Sequence, residues 1–161
     1  MSNNNIETER KFLVRDDSYR QLCVSSHRIC QGYLNDDPAR SVRVRIKGDM
    51  GYLTIKSLPD VSGWSRYEFE YEIDVEQARQ LLNMCLPTVI CKTRYYVPCG
   101  GLTVEVDEFE GDNAGLVMAE IEFSDAGQCI DLPEFLGREV TGDERYFNMY
   151  LSQHPYKEWK A

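Results

Sequence analysis

The sequence predicts an α+β fold in which eight antiparallel strands close into a β-barrel with flanking helices. Two observations predict it. Charged residues recur at every second position in most candidate strands, with apolar residues between them, as expected for strands with one covered face and one ionic face. Glycine-containing turns join neighbouring strands, and eight antiparallel strands are enough to close a barrel.

The strands are predicted in chain order from this alternation. In the first, Glu7, Glu9 and Lys11 share one face. The third and fourth strands flank Gly48, and the sixth and seventh flank Gly100-Gly101, so each pair is predicted to form a hairpin. The candidate strands cover approximately residues 6–14, 28–35, 41–47, 51–57, 65–73, 89–97, 102–109 and 116–123.

Three helices are predicted to plug or buttress this sheet. Asp74-Val75-Glu76-Gln77 resembles a capping box, and apolar residues follow it at helical spacing until Pro87. A second helix is predicted from Asp143 to Gln153, and a shorter one from Asp16 to Cys23.

Length, charge and hydropathy exclude several classes of protein. The 161 residues, 42% of them hydrophobic, predict one domain over 1–161. A net charge of −9 argues against nucleic-acid partners. No apolar run approaches the roughly 20 residues that span a membrane, and the polar start at 1–5 lacks the apolar stretch of a signal peptide, so a cytoplasmic protein is expected. A homodimer is expected only because homodimers are the most common oligomers of soluble proteins.

Cysteine and histidine are not predicted to carry the chemistry. The six cysteines form no C-x-x-C pair and no zinc-like spacing, which predicts buried free thiols. The two histidines lie near no nucleophile motif. A bound metal would therefore have carboxylate ligands, which favour Mg²⁺ or Mn²⁺.

Same-sign charges are sorted onto separate strands. A solvated sheet with its charges in water explains any single strand, but a barrel interior lined by these charges needs counter-charges or bound anions. Arginine and lysine suit phosphate oxygens, and carboxylates suit a metal that bridges protein and phosphate. The cations are Lys11, Arg43, Arg45, Lys56, Lys92 and Arg94, and the carboxylates are Glu7, Glu9, Glu68, Glu70, Asp107, Glu120 and Glu122.

Together these segments resemble the CYTH superfamily, the triphosphate tunnel metalloenzymes, over nearly the whole chain. The motifs that carry the likeness are Glu7-x-Glu9-x-Lys11, Gln31-Gly32-Tyr33-Leu34, Val42-Arg43-Val44-Arg45, Leu53-Thr54-Ile55-Lys56, Arg66-x-Glu68-x-Glu70, Lys92-x-Arg94-Tyr95, Asp107-x-Phe109, Ala119-Glu120-Ile121-Glu122 and Glu139-Val140-Thr141. The resemblance implies an enzyme that hydrolyses a triphosphate with Mg²⁺ or Mn²⁺ inside an eight-stranded tunnel. The compact length is most similar to the bacterial inorganic tripolyphosphatase branch.

Roles for individual residues follow from the charge pattern and from this resemblance together. Glu7, Glu9, Glu120 and Glu122 are the first choice of metal ligands, because the first and last strands would meet where the barrel closes, and Glu70 and Asp107 are the second choice. The six cations, Lys11, Arg43, Arg45, Lys56, Lys92 and Arg94, are predicted phosphate ligands. Arg66 is left between binding phosphate and pairing with a carboxylate.

Lys11, Tyr33 and Lys92 are the predicted catalytic residues. The attacking water would be activated either by a carboxylate of the metal cluster or by Tyr33, whose pKa of about 10 would fall beside Lys11 or Lys92. The alternatives to a tripolyphosphatase are a class IV adenylate cyclase, a thiamine triphosphatase and a polyphosphate-binding module without turnover.

Overall fold

A computed structural model describes residues 5–124 and 127–159, so all but the last residue of the polar start lies outside the described residues. The strands are β1 (Ile6–Val14), β2 (Ser25–Tyr33), β3 (Arg40–Lys47), β4 (Met50–Ser57), β5 (Ser65–Ile73), β6 (Ile90–Cys99), β7 (Leu102–Phe109), β8 (Val117–Glu122) and β9 (Leu136–Glu139). The helices are α1 (Tyr19–Leu22), α2 (Val75–Met84) and α3 (Asn148–Gln153), with single 3₁₀ turns at Gly111–Asn113, Glu144–Tyr146 and Tyr156–Glu158.

Eight antiparallel strands form a closed barrel, which confirms the predicted α+β fold. Their order is β5-β4-β3-β2-β6-β7-β8-β1, and a pairing between β1 and β5 closes the ring. The short closing ladder joins Ile6–Thr8 to residues 65–67. Closure leaves no free edge among these strands, so their inner face is enclosed.

The ninth strand, β9, was not predicted. It pairs with the second half of β1, beyond the point where β1 leaves β5, and contacts Phe12 and Val14. Its four residues, which follow Pro133 closely, are too few for an alternating pattern to show.

Both predicted hairpins form. A two-residue turn joins β3 to β4, and Gly48 has a φ of 57° there. Gly100 and Gly101 join β6 to β7 with φ values of 56° and 77°. Two successive positive φ values fit a type I′ turn, whose twist matches that of the flanking strands.

Two apolar clusters pack against the barrel wall, one on each face. The first packs Tyr19 and Phe135 against the outer faces of β1, β6, β7 and β8, where Val104, Val106 and Ile121 are fully buried.

The second cluster lies on the inner face. It joins the α3 segment to Ile90, Phe109 and Met118, which share the alternation of the inward-facing charged residues on β6, β7 and β8. The outer faces of β4 and β5 remain partly exposed, with Tyr67 at 59% and Tyr71 at 55%.

Helix α2 covers another part of the barrel and begins as predicted. The Asp74 carboxylate accepts hydrogen bonds from the backbone N–H groups of Glu76, at 3.0 Å, and Gln77, at 3.2 Å. The helix lies so close to β4 that a Cβ atom on Gly51 would stand 2.7 Å from the Cβ of Ala78.

The prediction of one helix from Asp143 to Gln153 is wrong. Asp143 caps only a 3₁₀ turn, Phe147 has an extended backbone, and α3 starts at Asn148. The break holds the Phe147 ring over the side chains of Lys11 and Arg66. Helical spacing could not reveal this, because the cations that contact the ring belong to distant strands.

The prediction of six buried free thiols is also wrong. Cys30 and Cys91 form a disulfide, because the β2–β6 register places them directly opposite each other with their Cα atoms 4.2 Å apart. Sixty-one positions separate them in the chain, so spacing rules gave no sign of the pairing. Of the four free cysteines, Cys129 is exposed and the others are half-buried.

Within the described residues, no helix combines the length and the apolar character that crossing a membrane requires.

Replacement of Gly51 by Ala tests the packing of α2. The added methyl group would contact Ala78 and the backbone oxygen of Ile73, only 3.0 Å away, so we expect a loss of about 1–3 kcal/mol in the free energy of unfolding, measured with urea. In the double variant Gly51→Ala/Ala78→Gly the total loss should be smaller than the sum of the two single losses. Strictly additive losses would mean that this contact does not limit the approach of α2.

Candidate functional site

A cavity of about 580 Å³ lies inside the barrel, and we call it the central cavity. Its lining is largely ionic, because the strands turn their alternating charged positions inward. The cations that line it are Lys11, Arg43, Arg45, Lys56, Arg66 and Arg94. The carboxylates that reach it from the strands are Glu7, Glu9, Glu68, Glu70, Glu105, Glu120 and Glu122, and Asp36 and Glu144 reach it from outside the strands.

Strand register decides which charges meet. Because β1 lies beside β8, Glu9 is opposite Glu122 and Lys11 is opposite Glu120. The expectation that carboxylates of the first and last barrel strands become neighbours is therefore confirmed. A like-charge pair next to an opposite-charge pair gives one end of the β1–β8 wall an excess of negative charge.

Glu7 lies on the closing ladder and bridges two cations. Its carboxylate accepts hydrogen bonds from Lys56 Nζ, at 2.8 and 2.9 Å, and from Arg66 Nε, at 3.1 Å. Burial raises the pKa of Glu7, but Lys56 and Arg66 outweigh burial and lower it well below its ordinary value. Glu7 is thus ionised, and Arg66 pairs with carboxylates, one of the two roles left open for it.

Lys11 lies between two carboxylates. Its Nζ is 3.2 Å from Glu120 and 3.5 Å from Glu9. Burial lowers the pKa of Lys11, and the two carboxylates more than offset that effect, so the pKa is raised and the ammonium is retained. Burial and the neighbouring Glu120 raise the pKa of Glu9. Lys11 therefore faces more negative charge than one ammonium neutralises.

Lys92 and Asp107 share the inward-facing alternation of Arg94 on β6 and β7, but they are buried and do not line the central cavity. Asp107 is 1% exposed and accepts hydrogen bonds from Lys92 Nζ at 2.6 Å and from Arg94 at 2.7 and 2.8 Å. Lys92 also donates to Asn148 Oδ1 at 3.2 Å. Burial lowers the pKa of Lys92 to about 8 although Asp107 opposes the shift. The adjacent strands β6 and β7 bring these charges together, so Lys92 and Arg94 neutralise Asp107.

The wall formed by β3 has an excess of positive charge. Arg45 forms no ion pair with any carboxylate of the described residues, and its Nε donates to Gln31 Oε1 at 3.2 Å. Burial, Arg43 and Arg94 lower the pKa of Arg45 to about 10. Arg43 donates to Thr54 through Nη2 at 3.3 Å, while its buried Nε has no acceptor. These guanidinium groups have unused capacity for an anion.

The opposite situation holds at Glu122, which is exposed at one end of the cavity. Burial of part of the side chain and the nearby carboxylates Glu7, Glu68, Glu105 and Glu9 raise its pKa to about 7. No cation is among the main causes of this shift. The central cavity therefore contains a cationic wall, formed by Arg43 and Arg45, and an acidic end, formed by Glu9, Glu68, Glu120 and Glu122. Within the described residues, Arg45 on the wall and Glu122 at the acidic end form no ion pair.

The acidic end fits a divalent cation by its donor chemistry. Carboxylate oxygens are the ligands of Mg²⁺ and Mn²⁺. Burial, and after it repulsion by neighbouring carboxylates, raises the pKa values of Glu9, Glu68 and Glu122, and a bound cation would relieve this repulsion. No group of three acidic, histidine or cysteine side chains within 5–124 and 127–159 is already arranged around a common point. Mg²⁺ does not need such a cage, because it usually keeps several waters and binds one or two carboxylates together with phosphate oxygens.

Most of the predicted site residues meet in this cavity. Tyr33 is among them: it lines the cavity and is 6% exposed. The predicted residues on the lining are Lys11, Tyr33, Arg43, Arg45, Lys56, Arg94, Glu7, Glu9, Glu70, Glu120 and Glu122. The sequence did not reveal that α3 and the turn before it close part of the cavity through Phe147, Asn148, Met149, Tyr150 and Gln153.

Comparison with known proteins agrees with this architecture. An inorganic triphosphatase from Acetivibrio thermocellus is 47% identical over 155 residues, which cover 96% of this chain and 97% of that protein. An inorganic triphosphatase from Nitrosomonas europaea is 38% identical over 152 residues, which cover 91% and 96%. The crystal structure of an inorganic triphosphatase superposes with a TM-score of 0.61 at 34% identity, covering 91% of this chain and 93% of that one.

The family model of the CYTH domain matches residues 5–147. This range contains all nine strands and every predicted ligand of the central cavity. A match over this range, together with relatives of nearly equal length, identifies the family: the chain belongs to the CYTH domain family.

Proposed function

We propose that this protein is a divalent-metal-dependent hydrolase that removes the terminal phosphate of inorganic tripolyphosphate, or of another triphosphate, inside the central cavity. The observation that carries the proposal is the Arg43–Arg45 wall, whose guanidinium groups retain unused donors in a buried place. A condensed phosphate chain offers the closely spaced anionic oxygens that such a wall needs. The two relatives named inorganic triphosphatase support the choice of substrate.

The phosphate ligands in this proposal are the cations that reach the cavity. Lys11, Arg43, Arg45, Lys56 and Arg94 surround it from β1, β3, β4 and β6. Each brings a fixed positive charge to the place where phosphoryl transfer develops negative charge, and positioning with charge stabilisation accounts for most catalysis of this reaction. Lys92 is given a supporting role, because it is absent from the cavity lining and contacts Asp107 and Asn148.

The metal ligands in the proposal are carboxylates at the acidic end. Glu9, Glu120 and Glu122 lie on the paired strands β1 and β8, and Glu7 and Glu70 also line the cavity. A bound Mg²⁺ or Mn²⁺ would neutralise charge on the phosphate oxygens. Asp107 is given a supporting role, because it is absent from the cavity lining and binds Lys92 and Arg94.

Activation of the attacking water is assigned to one of two groups, Tyr33 or a carboxylate at the acidic end. Tyr33 is a candidate because it lies directly across from Arg43 in the β2–β3 register, beside the cationic wall. Lys11 is the candidate for stabilising charge as the phosphoanhydride bond breaks, because its ammonium is buried and held in place by Glu9 and Glu120.

Three further sequence-based expectations remain proposals: a single domain over 1–161, a cytoplasmic location, and assembly as a homodimer. The proposal includes no nucleic-acid partner, in keeping with the net charge of −9.

The substrate is tested by incubating the purified protein with Mg²⁺ or Mn²⁺ and tripolyphosphate, ATP, thiamine triphosphate or longer polyphosphate, and by measuring phosphate, pyrophosphate and cyclic AMP. We expect tripolyphosphate to yield equal amounts of phosphate and pyrophosphate, and EDTA to abolish the reaction. Cyclic AMP and pyrophosphate from ATP would identify a cyclase instead. Binding without any product would leave only a polyphosphate-binding module.

Replacement of Tyr33 by Phe tests the role of its hydroxyl group. If the phenol takes the proton from water, the variant should lose at least tenfold in kcat, with KM nearly unchanged, because general-base catalysis contributes about 10²–10⁴-fold. Tyr67→Phe, on the exposed outer face of β5, is the matched control. Wild-type turnover by Tyr33→Phe across the pH range would assign the proton transfer to a carboxylate.

Replacement of Glu122 by Gln tests the acidic end without metal. The pKa of Glu122 in the folded protein, about 7, is above its ordinary value of 4.5, so its contribution to stability is complete below pH 4.5 and is lost as the pH rises through 7. Glutamine cannot ionise. We therefore expect the Tm of the variant, relative to wild type, to increase between pH 5 and pH 8 in EDTA.

Added Mg²⁺ should reverse this advantage at pH 8, because it stabilises the wild type more than the variant. Glu134→Gln, which changes an exposed carboxylate outside the cavity, is the control. A difference in Tm that is independent of both pH and Mg²⁺ would argue against metal binding by Glu122.

A further inference from the structure

Gln31 is a buried polar residue to which the proposed reaction assigns no role. It lies on β2 with none of its surface exposed, directly opposite Arg45 on β3. Its Oε1 accepts the hydrogen bond from Arg45 Nε at 3.2 Å, and its Nε2 has no acceptor. A buried amide with an unused donor is unfavourable for stability, so Gln31 is not explained by its contribution to the fold alone.

The partner of Arg45 differs from the partners of the other cavity cations. Within the described part of the chain, each of the others has a carboxylate in an ion pair, whereas the group that fixes Arg45 is a neutral amide. The pairs are Lys11 with Glu120, Arg43 with Glu70, Lys56 with Glu7, Arg66 with Glu7 and Arg94 with Asp107.

An amide and a carboxylate have opposite consequences for a guanidinium group that must bind an anion. Both accept a hydrogen bond and fix the orientation of the side chain. The carboxylate also cancels the positive charge, and in a buried site this weakens the attraction for a ligand anion far more than it would in water. The amide leaves the full charge available.

We propose that Gln31 is a positioning residue that orients Arg45 toward the triphosphate without neutralising it. The inference rests on the proposed function, in that it takes the anion to be a triphosphate. It adds that the positive charge of the β3 wall depends on the absence of a carboxylate at position 31, and that the charge persists at a cost to the stability of the ligand-free protein.

The surroundings of Arg45 agree with such a cost. Burial, and after it repulsion by Arg43 and Arg94, lowers its pKa to about 10, although Asp107 and Glu70 oppose the shift. A charge that is both buried and repelled is unfavourable until an anion arrives. A carboxylate at position 31 would relieve this repulsion permanently, so the same substitution should strengthen the empty fold and weaken ligand binding.

The test is the isosteric variant Gln31→Glu, compared with Gln31→Leu and wild type. Gln80→Glu on the exposed surface of α2 makes the same change in net charge away from the cavity. The readouts are kcat and KM for tripolyphosphate with Mg²⁺, the Kd for tripolyphosphate from calorimetry in EDTA, and the Tm without ligand.

For Gln31→Glu we expect KM and Kd to rise at least tenfold, while the Tm without ligand equals or exceeds that of wild type. For Gln31→Leu, which keeps the charge of Arg45 but not its orientation, KM and Kd should rise less. Gln80→Glu should match wild type. A residue that serves packing alone would not change affinity and stability in opposite directions.

Wild-type KM and Kd in Gln31→Glu would overturn the inference, as would a rise in Kd accompanied by a drop in Tm, which indicates a damaged fold. If wild type binds tripolyphosphate without hydrolysing it, the proposed function fails, and the calorimetric comparison still decides the role of Gln31. If wild type does not bind tripolyphosphate at all, both proposals fail.

Discussion

The attraction between opposite charges inside a closed barrel is the constraint on which the rest of this structure depends. A solvated ion pair contributes little to stability, but enclosed charges must have partners, since each unpaired one costs several kcal/mol. The chain meets this requirement with cations and carboxylates that lie opposite each other on neighbouring strands, such as Lys11 with Glu120 and Arg94 with Asp107. The apolar outer faces of β1, β6, β7 and β8 pack against α1 and the segment that contains β9.

Charge compensation is incomplete at two places, and these define the site. Arg45 has no carboxylate partner on the cationic wall, and Glu122 has no cation partner at the acidic end. A triphosphate with its divalent metal brings charges of both missing signs. The ligand-free barrel thus contains uncompensated charges that its ligands neutralise. Such charges lower stability and serve activity, a common trade-off at functional sites.

Neutral residues also position the charged side chains. Gln31 holds Arg45 in place without neutralising it, and Asn148 at the start of α3 accepts a hydrogen bond from Lys92. Because β8 pairs with β1, the carboxylates of Glu9 and Glu122 lie opposite each other. Strand β1 also pairs with β5 to close the ring, so the same strand takes part in barrel closure and in the candidate metal site.

Alternation with a period of two residues determined the barrel and most of the residues that line its cavity. That period is local: it decides which side chains share a face, and Lys11, Arg43 and Arg45 do face inward. Register and depth are not local, and only the tertiary structure decided them. They bury Asp107 and Lys92 away from the cavity lining, join Cys30 to Cys91 across sixty-one positions, and delay the start of the predicted 143–153 helix to Asn148. The physical reason is that partners of a buried charge or thiol come from neighbouring strands, whose separation in the chain has no fixed relation to their separation in space.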